Sequence, residues 1–138
     1  MEIILRDLSD IPSAVQFFLE ANERHKIFAF DGQMGVGKTT FILALLKAMG
    51  VEEVEGSPTY SLVNTYKSKV YGSINHFDLY RLNSEDEAYD IGIEEMLYSE
   101  QYCFIEWPEK ILSLLPDNTI WVYLRMNDKQ ERIITFEN

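Results

Sequence analysis

Apolar positions along the first half of the chain alternate between two periods. Glu2 to Leu5, with Ile3-Ile4-Leu5, reads as a short strand. Asp10 followed by Ile11-Pro12 has the form of a helix N-cap with proline in the first turn, and the predicted helix runs to about Glu23. Ile27 to Phe30 is a continuous apolar run of strand type, broken by Asp31-Gly32. Phe41, Ile42, Leu45, Leu46 and Met49 then recur at helical spacing, which predicts a helix from Lys38 to Met49 that Gly50 stops.

The second half is richer in strands. Tyr60 to Tyr66 and Val70 to Phe77 predict a hairpin with its corner near Lys67-Ser68-Lys69. Ser84 with Glu87 forms a capping box that opens a short helix, and Gly92 separates it from a second short helix ending at Leu97. Gln101 to Ile105 is apolar enough for a central strand and closes on Glu106-Trp107-Pro108. Ile120 to Arg125 and Arg132 to Phe136 predict a terminal pair of strands. The order of elements implies an α/β fold, a three-layer sandwich around a sheet partly parallel and partly antiparallel, with residues 1–138 forming a single domain.

Composition agrees with a packed domain and narrows the partners. With 138 residues, 46% hydrophobic and 13% aromatic, the chain has the material for a core and is not of disordered type. Twelve basic against 23 acidic residues leave a formal charge of −11, which repels nucleic-acid backbone and anionic membrane alike. Contact with RNA is therefore expected only through another protein, and none with a membrane. The single cysteine, Cys103, cannot form an internal disulfide and lies in an apolar run, as expected of core filler in a reducing compartment. The longest apolar run, Phe41 to Leu46, is too short to span a bilayer, and the N-terminus lacks a secretory pattern, so a cytoplasmic location is expected.

The richest chemistry sits between the Ile27 strand and the Lys38 helix. Gly32-Gln33-Met34-Gly35-Val36-Gly37-Lys38-Thr39 is a complete Gly-x-x-x-x-Gly-Lys-Thr loop. Its four fixed positions arise by chance in roughly half a per cent of chains this long, and the strand before and helix after remove most of those. Backbone N–H groups and the helix's positive end converge there on one point, which suits a polyphosphate. Lys38 is expected on the β- and γ-phosphates, the Thr39 hydroxyl on magnesium, and Thr40 towards the α-phosphate. ATP and Mg2+ are thus the expected ligands.

A magnesium site also needs an acid at the end of a neighbouring strand. Glu106 closes the run Tyr102-Cys103-Phe104-Ile105, and Asp78 closes Ile74-Asn75-His76-Phe77. One of the two would hold the metal, directly or through water, and the other would orient the attacking water or sense the γ-phosphate. Ser57 and Thr59 of Ser57-Pro58-Thr59-Tyr60 supply hydroxyls of a switch-like segment, against the plainer reading of a turn into a strand. His76, among apolar neighbours, reads as a structural histidine or a switch residue, and Arg81 as pairing with a carboxylate or phosphate.

Together these segments resemble the TsaE family, the ATPase component of bacterial tRNA threonylcarbamoyladenosine (t6A) synthesis. The resemblance spans nearly the whole chain, and its specific parts are His76-Phe77-Asp78-Leu79-Tyr80-Arg81 and Glu106-Trp107-Pro108-Glu109. It implies a P-loop ATPase that works with TsaB and TsaD without performing the transfer to tRNA itself. It further implies Lys38 and Thr39 as phosphate and magnesium residues, Glu106 as the magnesium-associated acid, and Asp78 as a second catalytic acid. Trp107 would lie beside the site, sensing nucleotide or contacting the partner, and Asp10 and Arg132 would flank the nucleotide base. The chain departs from the family's common pattern in carrying Gln33 where an acid is usual. Among rivals, a GTPase lacks its Asn-Lys-x-Asp segment here, a small-molecule kinase lacks an arginine-rich lid, and a non-hydrolysing nucleotide sensor shares every feature but turnover.

Overall fold

The computed structural model describes residues 1–56, 58 and 62–137. Its strands are β1 (Glu2–Leu5), β2 (Ile27–Asp31), β3 (Val63–Ser68), β4 (Gly72–Asp78), β5 (Tyr102–Glu106), β6 (Ile120–Met126) and β7 (Arg132–Phe136). They form one sheet in the order β1-β7-β6-β2-β5-β4-β3. β2 runs parallel to β5 and β6, and β4 runs parallel to β5. β1, β7 and β3 are joined antiparallel, so the sheet is mixed, with its parallel strands at the centre. Central parallel strands are buried on both faces, which is why Ile27 to Phe30 shows no alternation in sequence.

Two cores lie on opposite faces. Helices α1 (Ile11–Ala21) and α2 (Lys38–Ala48) cover one of them. There Phe18 of α1 is fully buried, with ring centroids 5.2 Å from Phe28, 5.7 Å from Phe41 and 5.1 Å from Phe136. Burying one such ring contributes roughly 1.5–3 kcal/mol. On the other face, α3 (Glu85–Asp90), α4 (Ile93–Leu97) and a 3-10 stretch, Pro108–Leu114, pack around Phe77, Cys103, Ile105 and Ile111. Burial pushes the Cys103 thiol up to about 12, which makes it core filler.

The element types expected from sequence are those found, with three corrections. The hairpin corner lies at residues 69–71, two residues later than the Lys67-Ser68-Lys69 placement, because Ser68 still pairs with Gly72. The Ser68 hydroxyl oxygen accepts from Val70 N–H and Tyr71 N–H and donates to Met49 O at 2.6 Å, tying the corner to the end of α2. α1 stops at Ala21 rather than Glu23, since the Asn22 side-chain amide donates to Phe18 O at 2.8 Å and turns the chain out of the helix. Asp10 occupies the N-cap position without capping: its carboxylate accepts from Arg6 N–H at 2.8 Å in the preceding 3-10 turn, Leu8–Asp10. The Pro108–Leu114 stretch had no periodic signal, being short and kinked at Ile111.

Candidate functional site

The loop leaves β2 at Asp31 and enters α2 at Lys38. Gly37, at the helix N-cap, has φ 111°, a conformation that L side chains rarely adopt. Gly32 is demanded by packing, because a Cβ there would lie 2.8 Å from Leu124 O of β6. Lys38 is only 5% exposed. Its ammonium donates to Gly32 O at 2.7 Å and lies 3.6 Å from the centre of the Trp107 ring. A desolvated cation–π contact of this kind contributes about 2 kcal/mol. Burial pushes the Lys38 pKa down, while Glu106, Glu109, Asp31 and Asp78 hold it up.

The acids arrive from strand ends. Glu106 stands opposite Phe30 of β2 and opposite Asp78 of β4, so both carboxylates reach the C-terminal edge of the sheet beside the loop. This is where ligands bind in open α/β sheets. Glu106 is nearly buried and bonded at both oxygens: Thr39 Oγ1 donates to Oε1 at 2.8 Å, and His76 Nε2 meets Oε2 at 2.7 Å. Trp107 follows with φ 60° and ψ 50°, a left-handed conformation that costs a non-glycine residue roughly 1–2 kcal/mol. That turn swings the indole over Lys38 and brings it to 5.1 Å from the Tyr80 ring.

Asp78 is half-buried, and burial raises its pKa, with Tyr80 N–H opposing and the Glu106 charge adding to the rise. A carboxyl whose pKa rises on folding contributes stability that is present below the ordinary carboxyl range and lost as pH climbs through the raised value. At neutral pH the ionised Asp78 therefore weighs against the fold. Asp78→Asn keeps the acceptor for Tyr80 N–H and is expected to melt higher than wild type at pH 7. The difference should shrink as the pH drops towards 4, and a lower melting temperature at pH 7 would contradict the assignment.

A cavity of about 620 Å³ gathers most of the expected residues: Met34, Gly35, Gly37, Lys38, Thr39, Thr40, Asp78, Glu106 and Trp107 all line it. Gly32 and Val36 do not line this cavity: the first packs against β6, the second is buried, and both line a neighbouring cavity along the loop. Gln33 faces that neighbouring cavity with Tyr123 and Arg125. Arg132 clamps the loop from outside, its Nε donating to Val36 O at 3.0 Å. Asp10 is not brought to this cavity; it lines another, with Arg6 and Phe17. Ser57 and Thr59 lie outside the described residues, although Pro58 between them lines the site. Tyr80, Arg81 and Glu87 also line it. Glu87 escaped notice as a site residue because its capping-box role explained it fully, and its carboxylate does accept from Asn83 N–H at 3.1 Å.

The family model described as "Threonylcarbamoyl adenosine biosynthesis protein TsaE" matches residues 5–134. The chain belongs to the TsaE family. It is 34% identical to the tRNA threonylcarbamoyladenosine biosynthesis protein TsaE of Treponema pallidum over 82% of both chains. It is 36% identical to the protein of that name from Rickettsia bellii, over 99% of this chain and 94% of the relative. The Bacillus subtilis protein of the same name is 31% identical over 80% of this chain and 68% of the relative. Among solved structures, Bacillus subtilis YdiB superposes with a TM-score of 0.72 at 19% identity, covering 99% of this chain and 83% of that one. That likeness concerns the fold, a P-loop NTPase-like sandwich. No helix among the described residues of this TsaE family member is long and apolar enough to cross a membrane.

The donor set of this TsaE site suits a hard cation. A hydroxyl and two carboxylates from Thr39, Glu106 and Asp78 are the oxygen donors that Mg2+ prefers. Among the described residues no cluster of three or more His, Cys, Asp or Glu side chains could cage an ion alone. Mg2+ commonly binds through one or two carboxylates with phosphate and water oxygens supplying the rest, so the residues fit.

Proposed function

We propose that this chain is the Mg2+-dependent ATP-binding and ATP-hydrolysing component of tRNA threonylcarbamoyladenosine synthesis, acting on a TsaB–TsaD complex in the cytoplasm. One observation carries the reading: Lys38, Thr39, Asp78 and Glu106, from two separate strand ends and one helix start, line a single cavity at the loop. The loop's backbone and Lys38 would hold the β- and γ-phosphates, and Thr39 with Glu106 would hold the metal. Magnesium supplies charge neutralisation between the phosphates. Asp78, the acid nearest Glu106 across the strands, would orient the water. The −11 charge favours protein partners, with tRNA reached through them.

A non-hydrolysing nucleotide sensor is the second reading, and one observation favours it. The Lys38 ammonium and the Thr39 hydroxyl already have protein partners, Gly32 O with Trp107 and Glu106, so the pocket is organised before a nucleotide arrives and can register one without turnover. Hydrolysis measured for the chain alone and then with purified TsaB and TsaD separates the two. Strong stimulation by the partners is the expected result, ATP binding without turnover in the full mixture would select the sensor, and stimulation by an added small acceptor would point to a kinase.

A further inference from the structure

Thr39 and Glu106 account for the metal side of the cavity, yet the hydrogen bond holding Glu106 from behind belongs to a residue that the proposed ATPase chemistry does not use. His76 lies on β4, fully buried, at the position opposite Phe104 of β5, two residues before the Asp78–Glu106 pair. The parallel register puts His76 and Glu106 on the same face of the sheet, because both fall an even number of positions from Phe104 or its partner. The His76 Nε2 to Glu106 Oε2 distance is 2.7 Å, the short end of the charge-assisted range.

His76 Nδ1 has no hydrogen-bond partner among the described residues. A buried N–H without an acceptor is costly, whereas a buried lone pair is far less so. The geometry therefore fixes the tautomer: the ring hydrogen sits on Nε2, where it meets the carboxylate, and Nδ1 is the bare nitrogen. One oxygen of Glu106 is then committed inward to His76 and the other outward to Thr39.

We propose that His76 is a positioning residue for the metal acid: its Nε2–H holds Glu106 Oε2, so that Oε1 alone is presented, in one orientation, to Thr39 and the cation. Without that donor the carboxylate can rotate, offer both oxygens, or swing towards the Lys38 ammonium, whose charge already acts on it. Partners behind a metal ligand commonly affect metal affinity or activity by about 10- to 100-fold when removed. The inference rests on the ATP–Mg2+ reading of the same cavity.

The test compares the full chain with His76→Leu, which fills similar space without a donor, and with His76→Gln, whose amide N–H2 reaches the place of Nε2. Mg2+ is titrated against each chain–ATP mixture by calorimetry, with ATP affinity in chelator as the reference. His76→Leu is expected to bind Mg2+ about ten-fold more weakly with metal-free ATP affinity unchanged, and His76→Gln to recover most of that loss. Long-range 15N–1H spectra of the wild-type imidazole are expected to show the hydrogen on Nε2, both without ligand and with Mg2+ and ATP. Wild-type Mg2+ affinity in His76→Leu, equal loss in both variants, or a hydrogen on Nδ1 would each overturn the proposal. The spectra need no variant, so they decide even where His76→Leu does not fold. Failure of the wild-type chain to bind Mg2+ and ATP at all would remove the ATPase reading and this one with it, whereas normal wild-type binding with unaffected variants removes this one alone.

Discussion

Lys38→Met is expected to abolish measurable ATP binding while leaving the protein folded. The ammonium is held in a nearly dry pocket by one backbone oxygen and one aromatic face, neither of which neutralises it. A bound polyphosphate would give it the anionic partner that this arrangement lacks. Removing one partner of such a buried pair costs about 3–5 kcal/mol, which is roughly 150- to 5,000-fold in affinity. Stability should move the other way. A lysine whose pKa falls on folding costs stability wherever it is charged; methionine occupies much the same volume without that cost. Calorimetric titration with ATP and a thermal melt check the two halves. Unaltered affinity would end the assignment of this loop as the phosphate site.

Glu106→Gln should leave ATP affinity within a few-fold of wild type and lower turnover by about 100- to 1,000-fold, the range for removing one preorganised electrostatic group. Lost charge is only part of the reason. A carboxylate offers acceptors at both oxygens, and here both are used, by Thr39 O–H and His76 Nε2. An amide offers one acceptor and one donor group, so it either donates to Thr39 Oγ1, reversing that bond and turning the hydroxyl hydrogen away, or confronts His76 with a second donor. The side chain is nearly buried, and water cannot repair the mismatch freely. Single-turnover hydrolysis with saturating Mg2+ and ATP measures the effect, and wild-type turnover would mean that Glu106 is merely a residue at a strand end.

How far the sequence revealed this site depends on how local each signal is. Gly32 to Thr39 could be read outright, since strand, glycines and helix are contiguous and each does its own part of the geometry. Glu106 and Asp78 could be read as strand ends because their runs are apolar and stop abruptly. The bond between His76 and Glu106 could not. It joins positions 30 residues apart and exists only because β4 and β5 pair parallel in one register. The Lys38–Trp107 contact was hidden for a related reason: it depends on a positive φ at Trp107, which no propensity scale assigns to tryptophan. Asp10 shows the opposite failure. Its sequence context matched a helix cap, yet the carboxylate had a nearer donor in Arg6 N–H, and the local bond won.

The pairing of β1 with β7 has a bearing on how the chain acquires its fold. In the sheet β1 has a single neighbour, and that neighbour is the last strand made; the ammonium of Met1 donates to Phe136 O across 135 positions. Loop-closure entropy makes contacts of such separation slow to form. A ribosome that has released the phosphate loop and α2 has therefore not yet supplied the strand that β1 needs. Phe136, packed against Phe18, also completes the aromatic core beneath the loop. The loop, Asp78 and Glu106 all precede β7 in the chain, and the core beneath them closes only when β7 takes its place between β1 and β6.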